Sequence, residues 1–379
     1  MPDHERVVRP WPFPVRQPVS EVLEWNTDTL ITEAAEQRIA LRTAPRSILT
    51  YTHLLDGPGL ARAAELARAG ALDAWTLPLW HLARPATTPI DAADLTVFAD
   101  TSEGSFEALG QAVIAADGGD AVLVEVSAVL PDRLELAAPA GVTLVHPIVA
   151  PVGIGILTRP VEIDRRRQGL GTVTARFTLQ DALAIPVSGY PTHLGLDVLT
   201  DPAVLRQPLA ESIAQSVEYI DNGFGPIVIE PVLTHVQRRS TITLVDRGTA
   251  RWSRRRWLHA LRGRQHAFWL PTWGRELVLQ TPVTSSATSV IVASTADPGV
   301  WIGRHVMFEI ASGPVFREIA DAAYDAFGIR LSITAPGKSI PDTTPVHLLT
   351  KVRLDTDRIE IEHFGNRSEF AASLIETPV

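Results

Sequence analysis

Apolar and polar residues alternate over many short stretches of this 379-residue chain, with the two-residue period of half-buried β-strands. In the clearest stretch, Val173–Leu179, Val, Ala, Phe and Leu alternate with Thr, Arg and Thr. Clusters of Gly, Asp, Asn and Ser separate such stretches and indicate turns, among them 100–104, 117–120 and 221–223. The pattern predicts further strands at Glu21–Leu30, Gln37–Leu41, Ser47–His53, Leu95–Ala99, Gln111–Ala115, Ala121–Val126, Arg133–Leu136, Val142–Val149, Pro226–Val236, His235–Leu244, Ser289–Ala293, Arg304–Ile310, Val315–Ala320, Arg330–Thr334, Val346–Leu354 and Arg358–Phe364.

Two short helices are predicted, at about 58–69 and 253–262, where residues with high helix propensity cluster. Ser253 is a candidate N-cap, and Gly70 and Gly263 stand where a helix favours a left-handed residue after its last turn. The stretch Ile319–Phe327 is predicted to form a helical turn or a loop.

An internal repeat organises the chain. Gly70–Trp80 and Gly263–Trp273 share a glycine, an aromatic residue five positions on, and then Leu-Pro-x-Trp, at a constant offset of 193 residues. Similarity extends over about 8–182 and 205–379, with Glu24-Trp25 aligned with Glu218-Tyr219 and with the strand at 226–236 present only in the second copy. The Trp motifs are interpreted as core anchors that join a helix to a sheet, because a large aromatic side chain buries much apolar area.

The predicted fold class is mainly β: a tandem duplication of a β-sandwich or barrel unit, with one short flanking helix and one inserted small β-barrel-like module per copy. The predicted domains are an N-terminal extended arm at 1–18 and a first repeat at 19–183 with its insert at about 84–160. A proline-containing connector at 184–207 and a second repeat at 208–379, with its insert at about 277–356, complete the chain. The arm either packs on a neighbouring molecule or is a loose terminus.

Composition narrows the possible functions. The chain has no cysteine, which excludes disulfides, thiolate zinc sites and cysteine nucleophiles. A net charge of −9 argues against nucleic-acid binding. The uncharged stretch 140–157 contains two prolines and three glycines and favours strands over a membrane-spanning helix, and the N-terminus lacks the apolar region of a signal peptide. A hydrophobic content of 45% hints at large interfaces.

Motifs with catalytic or ligand-binding chemistry are not found. HExxH, GxSxG, a Walker loop and GxGxxG do not occur. His146 and His347 occupy equivalent repeat positions in apolar stretches and are interpreted as core or interface histidines. The run from Arg251 to Trp257 interleaves arginines with tryptophans and is interpreted as a solvated helix face or a subunit contact. No catalytic, cofactor-binding or metal-binding residue is therefore assigned, and no cofactor is predicted.

One family resemblance is carried by packing residues. Trp11-Pro-Phe13, Val19–Trp25, Thr27-Asp28, Glu36–Arg42 with Pro45-Arg46, and the Phe-Trp-Leu-Pro-x-Trp motif ending at Trp273 resemble minor tail proteins of long-tailed bacteriophages. The resemblance covers most of the chain and implies a structural, non-enzymatic protein of the virion tail tip, in the distal tail or hub region of the baseplate, assembled in the host cytoplasm.

The expected partners follow from that resemblance. The chain is expected to form a homo-oligomeric ring around the DNA channel, with six copies favoured over three copies with pseudo-sixfold symmetry. It would contact the tail tube, hub, tape measure and fibres, bind no membrane, and let DNA pass without specific binding. The alternatives are a carbohydrate- or receptor-binding module, which exposed aromatic residues near 100–106 or 295–301 would favour, and a tail-associated hydrolase, which a pocket with paired carboxylates or a His–Asp pair would favour.

Overall fold

The computed structural model describes residues 8–31, 36–69, 73–102, 105–116, 121–167, 169–180, 185, 188–201, 211–274 and 276–377. It confirms the prediction of a mainly β fold, with 55% strand and 9% helix. The first half, residues 8–180, contains β1 Val8–Pro10, β2 Arg16–Glu24, β3 Thr27–Ile31, β4 Glu36–Ala40, β5 Arg46–Asp56, α1 Gly57–Ala69, β6 Ala74–Pro78, β7 Arg84–Pro85, β8 Thr96–Phe98, β9 Gln111–Ala116, β10 Ala121–Leu130, β11 Arg133–Leu136, β12 Pro147–Leu157, β13 Glu162–Arg167 and β14 Leu170–Leu179.

Two short strands precede the second half, residues 211–377. No described helix is long and apolar enough to span a bilayer. The remaining elements are β15 Thr192–His193, β16 Leu196–Asp197, β17 Glu211–Ile220, β18 Val228–Arg247, α2 Ala250–Leu261, β19 Ala267–Pro271, β20 Val278–Leu279, β21 Ser289–Ala293, β22 His305–Phe308, β23 Val315–Glu318, β24 Asp321–Asp325, β25 Gly328–Ser332, β26 Val346–Leu354, β27 Arg358–Phe364 and β28 Arg367–Glu376; two 3-10 turns lie at Trp80–Leu82 and Pro298–Trp301.

Both helices form where the sequence predicts them, but their ends differ. Helix α2 begins after Thr249, whose side chain makes no capping hydrogen bond, so the prediction of Ser253 as N-cap is wrong. At the other end Arg262 adopts a left-handed conformation with φ 53°, followed by Gly263 with φ 64°. Gly70, Asp117–Asp120 and much of the predicted connector lie outside the described residues.

Several predicted strands need correction. The stretch Glu21–Leu30 is interrupted at Trp25, because that residue is buried at a corner between β2 and β3. The strand predicted at 142–149 begins only at Pro147 and continues to Leu157. The helical turn predicted at 319–327 is wrong, since β24 occupies it and pairs with β25. The strand at 226–236 is predicted only for the second copy, as an addition. The first half nevertheless has a hairpin at the corresponding place, formed by β3 and β4.

The two halves share their strand pairings. The hairpin β27–β28 and the neighbouring pair β18–β28 repeat the arrangement of β13–β14 and β5–β14. The contacts of β26 with β19, β22 and β28 repeat those of β12 with β6, β9 and β14. In the inserted segments, β21–β25 repeats β8–β11. These pairings agree with a duplicated unit, while the duplication itself and the domain limits stay predictions.

Buried apolar residues form a separate core in each main unit and in each inserted segment. Trp75 and Phe177 lie in the first main core, and Trp257 and Phe268 in the second. Each inserted segment has its own cluster of buried apolar residues. In the first half these residues lie between Ile90 and Val149, and in the second half they lie between Leu277 and Val346. Trp75, Phe268 and Trp269 are fully buried, so these positions of the Trp motifs pack in the core.

The N-terminal segment packs on its own chain. Strand β1 pairs in parallel with β6, and Trp11 and Phe13 lie in the first main core. Neither of the expected arrangements, an arm on a neighbouring molecule or a loose terminus, describes residues 8–18. Strand β2 then runs between β5 of the first half and β27 of the second, so one continuous sheet joins the two halves.

Candidate functional site

Helix α2 carries three buried arginines at the junction of the two halves. Arg251, Arg254 and Arg255 are each less than 10% exposed. The interpretation of this run as a solvated face is therefore wrong. The reason is that carboxylates and carbonyls distant in the sequence provide acceptors: the partner of Arg255 lies 234 residues away.

Glu21 of β2 is fully buried and forms a bidentate ion pair with Arg255. The Nη2 atom of Arg255 lies 2.6 Å from Oε1 of Glu21, and its Nη1 donates to Oε2. Such a planar, charge-assisted pair satisfies both carboxylate oxygens at once. Because Glu21 belongs to the first half and Arg255 to the second, the pair ties the halves together.

A chain of hydrogen bonds extends the pair through His363 of β27. The Nε2 atom of His363 lies 3.1 Å from Oε2 of Glu21, and its Nδ1 lies 2.8 Å from the hydroxyl of Ser368. Arg251 donates from Nε to that hydroxyl at 2.9 Å and from Nη2 to the carbonyl of His81 at 2.5 Å. Since the guanidinium only donates, the hydroxyl of Ser368 donates to Nδ1, and neutral His363 donates from Nε2 to Glu21.

The ionisation of this cluster follows from burial and from Arg255. Burial raises the pKa of Glu21, but the charge of Arg255 and contacts with His81 and His363 outweigh it and hold this pKa well below its usual value. Burial lowers the pKa of His363 to about 4, and it also lowers the pKa of His81. At neutral pH the cluster therefore contains one carboxylate, two guanidinium groups and two neutral imidazoles.

Glu21, His81 and His363 are also the one described group whose ligand atoms lie close enough to hold a metal ion, all within 4.8 Å of one another. Two imidazoles and one carboxylate suit zinc or iron. The Nε2 atom of His81 lies 3.5 Å from Oε1 of Glu21, and neither ring nitrogen makes a well-formed hydrogen bond among the described residues. However, Arg255 already uses both carboxylate oxygens, so a cation would lie beside a fixed positive charge. The geometry fits an ion pair that joins the halves better than it fits a metal centre.

The first-half hairpin β3–β4 also docks on the second half. Thr27 donates from its backbone nitrogen to Oδ2 of Asp357 at 2.7 Å, and its hydroxyl donates to Oδ1. Arg353 forms an ion pair with Glu36 at 2.7 Å. Arg38 donates to the carbonyl of Arg264 at 3.0 Å. These polar contacts are directional, and they fix how the hairpin lies against its neighbour.

The second half has the corresponding hairpin, formed by β17 and the first part of β18, residues 211–236, and here called the hairpin arm. In the described chain, this arm makes strand pairings only between its own two strands. Phe224 at its tip is 84% exposed, and Ile213 is 69% exposed. The exposed large apolar residues of the arm are Ile213, Tyr219, Phe224, Ile227, Val228, Ile229, Val232 and Val236. Exposed apolar side chains concentrated on one hairpin are typical of interaction surfaces.

Other residues noted in the sequence occupy different environments. His146 is exposed and precedes β12, so the core alternative of its interpretation is wrong, while the interface alternative stays a prediction. His347 is buried, and its Nε2 lies 3.2 Å from Glu309. Trp301 is buried and Phe106 packs against the first inserted core, so neither presents an exposed aromatic ring.

Glu21 and His363 were not found from the sequence. Glu21 lies in an alternating stretch among other acids, and the two residues are 342 positions apart. The local sequence gives no signal for this pair, because β2 and β27 belong to different halves of the chain.

Comparison with known proteins gave no relative: no protein-family model matches the chain, and no curated protein matches it significantly.

Proposed function

We propose that this protein is a structural component of a phage tail tip that assembles into a ring around the DNA channel and links the tail tube to the hub and fibres. The single observation that carries the proposal is the hairpin arm with its exposed apolar residues. The resemblance of the sequence to minor tail proteins supplies the virion context.

The arm favours assembly because its exposure is costly in a lone chain. A two-stranded hairpin is marginal in water, and an exposed apolar strand edge promotes association. The equivalent hairpin β3–β4 of the first half rests on the second half through Thr27, Glu36 and Arg38. A second copy of the chain offers the hairpin arm a comparable surface.

A duplicated unit suits a ring. If the same kind of contact joins the two halves of a chain and also joins one chain to the next, the ring consists of similar units. A ring of three chains then contains six such units, and a ring of six chains contains twelve. We favour six copies, as the divergence of the second sequence copy suggests. A net charge of −9 per chain, repeated around a ring, would repel DNA from the wall.

Native mass spectrometry of the purified protein tests this function. We expect a discrete oligomer of the 41.2 kDa chain, and removal of residues 216–235 should reduce it to smaller species while the circular dichroism of the remaining sheet persists. A monomer at high protein concentration would contradict the ring. Immunogold labelling of a virion at a site other than the tail tip would contradict the location.

Receptor or glycan binding is a second candidate, favoured by one hairpin of the second inserted segment. Tyr324 and Phe327 lie at or beside the β24–β25 turn and are 75% and 73% exposed. Exposed rings can stack on sugar faces. A glycan array with the wild type and a Tyr324→Ala, Phe327→Ala variant tests it, and binding that survives the double substitution would exclude this hairpin. The hydrolase alternative has less support, because Glu21 is buried and paired with Arg255.

A further inference from the structure

We propose that the free edge of β17 pairs with the free edge of β13 in the next copy of the chain, in the register by which β2 pairs with β27 inside one chain. This inference rests on the proposed self-assembly and names the surfaces that carry it. In this proposal, the contact between copies repeats the strand pairing that joins the two halves of one chain.

Both edges are open in the described part of the chain. Strand β13 is hydrogen-bonded to β14 alone, and β17 to β18 alone. Their counterparts are not open: β27 pairs with β28 on one side and β2 on the other. Each chain therefore presents one unpaired edge of each kind, which is the requirement for a head-to-tail contact that can close into a ring.

The equivalence of β2 and β17 follows from the strand registers. In each half, a row of paired residues crosses the sheet and ends at the last residue of β12 or β26. The first row is Glu21, Leu49, Phe177 and Leu157, and the second is Glu211, Ser240, Leu374 and Leu354. Glu211 therefore stands where Glu21 stands, and the alignment of Glu24-Trp25 with Glu218-Tyr219 drawn from the sequence is wrong.

The equivalence of β13 and β27 follows in the same way. Five positions further along β5 and β18, matching rows run Asp164, Thr172 and Leu54 in the first half and Glu362, Glu369 and Val245 in the second. Val161, Glu162 and Ile163 thus correspond to Ile359, Glu360 and Ile361. The sequence repeat aligns the same residues.

The register between copies can then be written residue by residue. Within one chain, Glu21 pairs with Ile361, Val22 with Glu360 and Leu23 with Ile359. Transferred to the open edges, this register pairs Glu211 with Ile163, Ser212 with Glu162, and Ile213 with Val161 of the next copy.

The exposure of the side chains on the two open edges supports this register between copies. Leu23 and Ile359 face each other across the junction inside one chain and are 0% and 1% exposed. Their counterparts are also apolar, yet Ile213 is 69% exposed and Val161 is only half-buried. Pairing the two open edges would bury this apolar pair as its counterpart is buried, which is favourable in proportion to the area removed from water.

The two helices differ in the same way as the strand edges, because α2 is covered by the other half of the chain and α1 has an exposed face. Helix α2 is covered by the first half: Arg255 binds Glu21, Trp252 lies in the first main core, and the ring of His259 is 5.9 Å from that of Trp25. Helix α1 leaves Ala61, Arg62, Glu65 and Arg68 exposed. The sequence repeat aligns Arg62 with Arg255, so Arg62 is placed to meet Glu211 of the neighbouring copy.

Cysteine cross-linking tests the register, and the chain has no native cysteine to interfere. Two neighbouring pairs are used, Ser212→Cys with Glu162→Cys and Ile213→Cys with Val161→Cys, because hydrogen-bonded and non-hydrogen-bonded pairs alternate and disulfides need a short Cβ–Cβ distance. Under mild oxidation at least one variant should give a ladder of covalent multimers on non-reducing gels, ending at the ring size. The matched control, Ser212→Cys with Arg165→Cys, is out of register and should give only the band of the single chain on the same gels.

Charge reversal gives an independent measurement. Glu211 also pairs with Arg238 of its own chain, so the reversal is made at Arg62. Arg62→Glu should weaken assembly at least tenfold in light-scattering titrations, whereas Arg62→Lys, which keeps the charge, should weaken it little. Unchanged assembly of Arg62→Glu would exclude the contact with Glu211. If native mass spectrometry shows an oligomer but neither in-register pair cross-links, the β13–β17 pairing is wrong while the ring remains. If the wild type is monomeric at high concentration, the ring itself is wrong.

Discussion

Replacing His53 with glutamine should make the protein less stable at neutral pH and more stable than the wild type in acid. His53 is fully buried in the first main core. Its Nε2 lies 2.9 Å from Nε1 of Trp11, and its Nδ1 lies 2.8 Å from the carbonyl of Pro14. The indole can only donate, so Nε2 accepts and Nδ1 carries the proton. A second proton on Nε2 would break the bond to Trp11.

The magnitude follows from the pKa of His53. Burial lowers this pKa from 6.5 to about 4, and the bond to Pro14 only partly compensates. A histidine whose pKa is lower in the folded state contributes stability that is present above pH 6.5 and is lost as the pH falls toward 4, because the unfolded chain binds the proton first. At 1.36 kcal/mol per pKa unit, the loss between pH 7 and pH 4 is about 3 kcal/mol.

Glutamine keeps an acceptor for Trp11 but does not titrate. At pH 7 the loss of one hydrogen bond and imperfect packing should cost His53→Gln about 1–2 kcal/mol. At pH 4 the wild type has lost more than that, so the two stabilities should cross between these pH values. The other histidines titrate in both proteins and cancel in the difference.

Urea unfolding at pH 7, 5.5 and 4, followed by tryptophan fluorescence, measures the crossing. His146→Gln is the matched control for replacing an imidazole with an amide, since His146 is exposed. If the profile of His53→Gln stays parallel to that of the wild type, the assignment of His53 as a neutral acceptor is refuted.

Three further outcomes are expected. Glu21→Ala should lower the free energy of unfolding by about 3–5 kcal/mol, as measured by urea unfolding at pH 7, because it leaves Arg255 buried without its partner; a change below about 1 kcal/mol would contradict the role given to this pair. Zinc at millimolar concentration should leave the melting temperature of the wild type unchanged, and a zinc-dependent rise would show that the cluster binds metal despite Arg255. Phe224→Ser with Ile227→Ser should weaken assembly in light scattering while changing the urea midpoint of the dissociated chain little, since both side chains are exposed; unchanged assembly would remove the hairpin arm from the interface.

The sequence predicted those elements whose own residues determine them. The limits of β26 and β27 agree with the prediction to the residue, because Pro345 and the turn at 355–357 bound the two stretches and β27 alternates strictly. Both helices were found from propensity and the flanking glycine. Local pattern was a poor guide where tertiary contacts decide: Trp25 interrupts a long alternating stretch because the chain turns there to dock on Asp357.

The buried cluster shows the limit most clearly. A run of arginines between tryptophans resembles a solvated or ligand-binding face, and only the positions of Glu21, Asp246 and Ser368 in space make it an interior one. Sequence alone cannot pair charges separated by more than a hundred residues. The exposed aromatic pair at 324 and 327 was likewise obscured, because the strand there was mistaken for a helical turn or loop.

The position of β2 has a consequence for how the protein is made. On the ribosome β2 emerges more than three hundred residues before β27, to which Val19–Glu24 pair. Until β27 has been synthesised, the outer edge of β2 therefore lacks its partner and is open to a strand from another nascent chain on the same messenger RNA. Synthesis on crowded polysomes should consequently yield more strand-exchanged dimers than refolding of the dilute, complete chain.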